Sequence, residues 1–171
     1  GEFYQLDFEM SFATQEDVFR AGEEVLTATF EKFAPEGSQV TAAPYPVISY
    51  KEAMLKYGTD KPDLRNPLEI VDVTDFFQRC TFEPFHGKTV RAVNVHQQMS
   101  KKFHKKFEEF AKKIGMGGLG YLQVQDDMTY KGPIDKFIPD DMKQEIADIA
   151  GLQAGDTIFF ICDKEKQAAL F

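Results

Sequence analysis

The chain predicts an α+β architecture, a two-layer domain whose mainly antiparallel sheet is covered by helices on one side. Three observations carry this reading. Short stretches of strand character recur in the second half, at KTVRAVNV (88–95), GLGYLQVQ (118–125) and DTIFFICD (156–163). Between them run stretches of helical period. The clearest is MSKKFHKKFEEFAKKIG (99–115), where Phe103, Phe107, Phe110 and Ile114 repeat at i, i+4, i+7 and i+11. Finally, strands that alternate with helices of this length build two packed layers around one core.

Taken in order, residues 2–12 alternate. Phe3, Gln5, Asp7 and Glu9 fall on one face, and Tyr4, Leu6, Phe8 and Met10 on the other, so period two predicts a strand. Thr14 followed by Asp17 is an N-cap with an acidic first turn. Val18, Phe19, Val25, Leu26, Phe30 and Phe33 then recur near helical spacing, which predicts a helix over 15–33. Pro35, Gly37, Pro44 and Pro46 make 34–47 a loop. Ser49 and Glu52 form a capping-box pair and Gly58 a helix stop, which brackets a helix over 49–58. Pro62 and Pro67 keep 59–67 extended. Composition shifts after it, which places a boundary near Asn66 and divides the chain into 1–66 and 67–171. EIVDVTDFFQRC (69–80) then offers a short strand and a short helix. Residues 134–137 and 140–150 read as helical, Pro139 suiting a helix start, and Asp163 caps a final helical piece.

The composition is globular, with 43% apolar and 28% charged residues among 171. No apolar run approaches the ~20 residues that span a bilayer, and no charged-then-apolar leader occurs. No membrane partner is expected. Cys80 and Cys162 lie far apart without metal-ligand spacing, so both read as reduced thiols of a cytoplasmic protein. A net charge of −8 argues against a dedicated nucleic-acid-binding domain, which is usually basic.

Few residue patterns carry chemistry. Gln5, Asp7 and Glu9 form a polar row that either lines a pocket gripping an ammonium or faces solvent. GMGGLG (115–120) lacks the Lys and the following helix of a phosphate loop, and reads as a helix stop plus a turn. His86, His96 and His104 have neither metal-ligand nor catalytic spacing. The helix over 99–115 carries Lys101, Lys102, Lys105, Lys106, Lys112 and Lys113 against Glu108 and Glu109. This basic island either touches RNA phosphate or is a solvated face over a Phe stripe, the commoner arrangement.

EFYQLDFEMSF (2–12) resembles the closing strand of motif 2 in class II aminoacyl-tRNA synthetases, and specifically in the aspartyl-tRNA synthetase family. YGTDKPDLRNP (57–67) resembles the point where the catalytic domain of its bacterial-type members meets an inserted domain. Residues 67–171 are similar to that insertion, the GAD domain, in their order of elements and in GLGYLQV, KGPI and GDTIFF. The resemblance implies an internal piece running from the end of motif 2, part of the class II catalytic domain, through the insertion. It implies a homodimeric parent enzyme that activates aspartate with ATP and Mg²⁺ and charges tRNA. The motif 2 Arg would lie upstream, and no G-x-G-x-G-x-x-R for motif 3 occurs, so the piece itself is expected to be inactive and to hold no cofactor or metal. Asp7 is expected to face the substrate ammonium, with Gln5 its neighbour. Asp60, Lys61 and Arg65 match the junction motif and are expected either to position that junction or to stand in a rigid Pro-bearing linker. The insertion is alternatively an interaction module for tRNA or protein, of the kind shared with tRNA-dependent amidotransferase subunits, or a purely structural element.

Overall fold

In the computed structural model, which describes residues 1–171, five strands form one sheet: β1 (Ile70–Asp72), β2 (Thr89–Asn94), β3 (Gly120–Val124), β4 (Tyr130–Lys131) and β5 (Thr157–Asp163). Their order is β1-β2-β5-β3-β4, and every neighbouring pair is antiparallel. β5 occupies the centre. Its run of Ile158, Phe159, Phe160 and Ile161 suits a strand that is covered on both faces.

Alternation along β5 sends Ile158 and Phe160 to one face of the sheet and Phe159 and Ile161 to the other. On the first face, α3 (Thr74–Arg79) and α5 (Lys143–Ala150) bury Phe76, Phe77 and Ile146 against Val90, Leu122, Ile158 and Phe160. On the second lies α4 (Lys101–Lys113), whose Phe107 meets Phe159 edge-on at 5.0 Å. The α+β class and the antiparallel sheet are as the sequence predicts, but the helical cover is not one-sided. The reason is chemical: Phe159 and Tyr121 make the second face apolar, and the Phe stripe of α4 needs such a surface.

The chain divides into two compact units, Gly1–Val47 and Ile48–Phe171. Helix α2 (Tyr50–Tyr57) belongs to the second unit, burying Ala53 and packing on β1. Ser49 accepts from the Glu52 N–H at its start, and Gly58 ends it in the left-handed conformation, φ 68°. The short α6 (Glu165–Ala168) packs on β2 and β5. Residues 135–137 and 140–142 are single turns of 3₁₀ helix, so 135–137 and 140–150 are helical as read, with the α-helical part, α5, starting at Lys143.

In the first unit, α1 (Gln15–Phe33) starts at a full capping box between Thr14 and Asp17. None of its residues is buried, and Phe30 and Phe33 are exposed. The expected strand over 2–12 does not form: these residues carry no ladder pairing and are exposed throughout. An alternating segment becomes a strand only when a neighbour takes up its backbone N–H and C=O groups, and none does here.

Candidate functional site

The residues singled out in the sequence fall in three places. Gln5 and Asp7 do meet: Gln5 Nε2 donates to Asp7 Oδ1 at 2.7 Å. Both are exposed, as is Glu9, so the row is a polar ridge and not a lined pocket in this chain.

The junction loop holds its charges locally. Lys61 Nζ lies 2.7 Å from Asp60 Oδ2. Arg65 clasps Asp63 with two parallel bonds, Nε to Oδ1 at 2.8 Å and Nη2 to Oδ2 at 2.6 Å. The Arg65 side-chain bonds hold the Asp63 carboxyl down at about 2. Asp63 is therefore the partner that the sequence reading of Asp60, Lys61 and Arg65 left out. The D-x-R spacing was visible, but adjacency two residues apart does not reveal a fork.

The lysines stand on α4. Ser100 Oγ caps the helix by accepting from the Phe103 N–H at 3.2 Å. His104, Phe107 and Ala111 face the sheet, while Lys101, Lys102, Lys105 and Lys106 are exposed. His104 is buried and stacks on Tyr121, centroids 3.9 Å apart and planes 15° from parallel. No group stands in good hydrogen-bond geometry to either ring nitrogen. Burial pushes its pKa below the usual histidine value, against an opposing pull from the Met99 carbonyl.

Two polar clusters escaped the sequence reading. Arg91 of β2 pairs with its cross-strand neighbour Asp72 of β1. The pair lies in a groove of about 870 Å³ that Tyr50, Lys51 and Tyr57 of α2 also line. Burial works against the Asp72 carboxylate, yet bonds from Thr74 and Arg91 outweigh it and lower its pKa. At the far end of β2, buried Asp156 accepts from Asn94 Nδ2 at 2.7 Å and from the Gln153 N–H at 2.9 Å, with His96 Nδ1 at 3.5 Å. This joint ties β2, β5 and the turn after α5, and it starts the path of the chain into α4. Only the register of the sheet brings either cluster together.

The GMGGLG stretch serves packing. Gly115 leaves α4 with φ 97°. A Cβ on Gly120 would stand 2.4 Å from Ile134 Cδ1. Cys80 is buried and Cys162 half-buried, and neither is paired. Burial raises the Cys80 thiol to about 11, so it is not activated. No helix is long and apolar enough to cross a membrane.

Along 99% of its length the chain is 47% identical to the aspartate–tRNA(Asp/Asn) ligase of Anaplasma phagocytophilum, covering 29% of that protein. It is 47% identical over its whole length to the ligase of the same name from Ehrlichia canis, covering 30% of it. It is 49% identical over 98% of its length to that of Methylocella silvestris, covering 29%. The chain thus spans under a third of the length of these relatives. The GAD domain family model matches residues 83–170, from the 3₁₀ turn before β2 to the end of α6. With half its length matched to that model, the chain belongs to the GAD domain family.

Proposed function

We propose that this chain is part of an aspartate–tRNA ligase. The whole enzyme activates aspartate with ATP, in the presence of Mg²⁺, to an aspartyl adenylate and passes the acyl group to the terminal adenosine of tRNA. The relatives' names extend the tRNA substrates to those for both aspartate and asparagine. The observation that carries this reading is identity of 47–49% running along 98–100% of the chain, across both compact units, to enzymes of that name.

Within the reading, residues 1–66 are the end of motif 2 and the adjoining catalytic-domain segment, and 67–171 the inserted domain. Gln5 and Asp7 form one wall of the aspartate pocket, Asp7 facing the ammonium and Gln5 holding it in place through their 2.7 Å bond. Asp60, Lys61 and Arg65, with Asp63, stiffen the junction between the two parts. No three His, Cys, Asp or Glu side chains of this chain converge on a metal-sized space. The whole enzyme is read as a cytoplasmic homodimer.

The test is aspartate-dependent ATP–pyrophosphate exchange, and charging of transcripts of both tRNAs, by the full gene product. Aspartate-dependent exchange with charging of either tRNA supports the reading. A pure, folded full-length product that performs neither removes it.

A further inference from the structure

Helix α4 turns two rows of lysine outward. Lys101 and Lys105 stand one turn apart and lead, through Glu108, to Lys112. Lys102 and Lys106 form the next row, and one further turn along that row stands Phe110, with Lys113 beyond it. Of these lysines only Lys112 is neutralised. Lys112 is paired with Glu108 at 2.7 Å, whereas Lys101, Lys102, Lys105 and Lys106 make no ion pair at all. Lys105 and Glu109 have the right spacing, but a Lys preceding a Glu is the weaker order on a helix. Four unpaired cations on less than two turns are conspicuous in a chain of net charge −8.

The stripe of phenylalanines is not fully used by the sheet either. Phe107 is seated on Phe159, but Phe110 is 53% exposed and Phe103 39% exposed. Phe110 directly continues the Lys102–Lys106 row, so an accessible ring adjoins uncompensated positive charge. Sequence periodicity placed all three rings on one stripe and hid this edge.

We infer that this edge of α4 binds single-stranded or looped RNA, the lysines on phosphates and the Phe110 ring, with Phe103 two turns back along the helix, as stacking surfaces. That the RNA is tRNA rests on the ligase reading above; the chemistry of the surface does not. Unpaired ammonium groups in rows complement a polyanion with regularly spaced charge. An accessible aromatic ring beside them adds nothing to a paired duplex, whose bases are already stacked. It provides a face for an unpaired base, and stacking of that kind tolerates any sequence. A contact made of phosphate pairing and stacking adds affinity and orientation without specifying a tRNA.

The experiment uses the 171-residue chain, with fluorescence anisotropy of labelled oligouridylate and of an RNA duplex of matched length, between about 50 and 200 mM salt. With Lys101, Lys102, Lys105 and Lys106 all changed to Gln, the slope of log affinity against log salt should fall by about 3, at ~0.7 per phosphate contact on a single strand. The same four changed to Arg should retain binding. Phe110→Leu keeps an apolar side chain without an aromatic face, and should weaken oligouridylate about tenfold while leaving the duplex unchanged. Circular dichroism melting of each variant separates lost binding from lost fold. Oligouridylate binding that is the same before and after the four Gln changes overturns the inference, as does binding of an acidic polyglutamate peptide through these lysines with no RNA binding. If α4-dependent RNA binding is present but the full product shows no aspartate-dependent exchange, the ligase reading fails alone. If exchange is present and RNA binding ignores α4, this inference fails alone.

Discussion

Phe77 is fully buried and meets three other rings nearly edge-on, Phe76 at 5.1 Å, Phe85 at 4.9 Å and Phe160 at 5.1 Å. Phe77→Ala would remove a ring from the centre of the core and leave a cavity, at a cost of about 3–5 kcal/mol; thermal or urea melting measures it. His104 makes a prediction of opposite character. Its folded pKa lies below the ordinary value of 6.5, so the unfolded chain takes up the proton more readily. Its contribution is therefore fully present above about pH 6.5 and is lost as pH falls toward the lowered folded value. His104→Leu should flatten that part of the stability–pH curve, whereas an unchanged acid limb would show that His104 does not set it. If the ligase proposal holds, Asp7 is tested in the full gene product. Asp7→Asn keeps size but removes charge, and a charge-assisted bond to an ammonium is worth about 1.5–3 kcal/mol. Aspartate activation should drop by one to two decades at about 1.4 kcal/mol per decade, with the melting temperature unmoved because Asp7 is exposed. Unchanged kcat/KM would take Asp7 out of the pocket.

Among the elements, α4 shows how one sequence pattern serves two surfaces. The period of its apolar residues named the helix, and Ser100 and Gly115 sit just outside its ends. Changing Lys105 and Lys106 together to Gln should shift stability by less than about 0.5 kcal/mol, since both point to solvent. The β3–β4 hairpin behaves differently. A Cβ on Gly132 would lie 2.4 Å from the Tyr121 carbonyl oxygen and 3.2 Å from the Leu122 Cα, both backbone atoms of a paired strand. Gly132→Ala should therefore cost about 1–3 kcal/mol as an overpacked site, read as a lowered denaturant midpoint. Nothing local in KGPI announces this. The need for glycine comes from the strand pressed against it, which lies about ten residues away in sequence.

At the scale of the molecule, order is concentrated in the second unit. Ile48–Phe171 holds the sheet and all the buried core, while α1 of the first unit buries nothing. Amide exchange should accordingly be slow in β5 and fast over 2–12, which has no ladder bonds to protect it. Equal protection in dilute monomer would mean that 2–12 finds a strand partner after all.

What the sequence determined by itself is local. Helical period, caps and Gly stops located α1, α2 and α4 to within two residues, and strand patterns located β2, β3 and β5. Gln5 and Asp7 were legible as neighbours because a two-residue spacing is a local fact, and the quoted stretches carried the family. Tertiary structure decided the rest. It set the order β1-β2-β5-β3-β4, the second helical layer, the Arg91–Asp72 pair, the Asn94–Asp156 joint and the exposure of Phe110. Within this chain residues 2–12 find no strand neighbour, although their alternation is as regular as that of β2. The physical reason is common to all of these. Periodicity reports which side chains share a face, but not which distant backbone completes the hydrogen bonds of a strand or which surface arrives to cover that face.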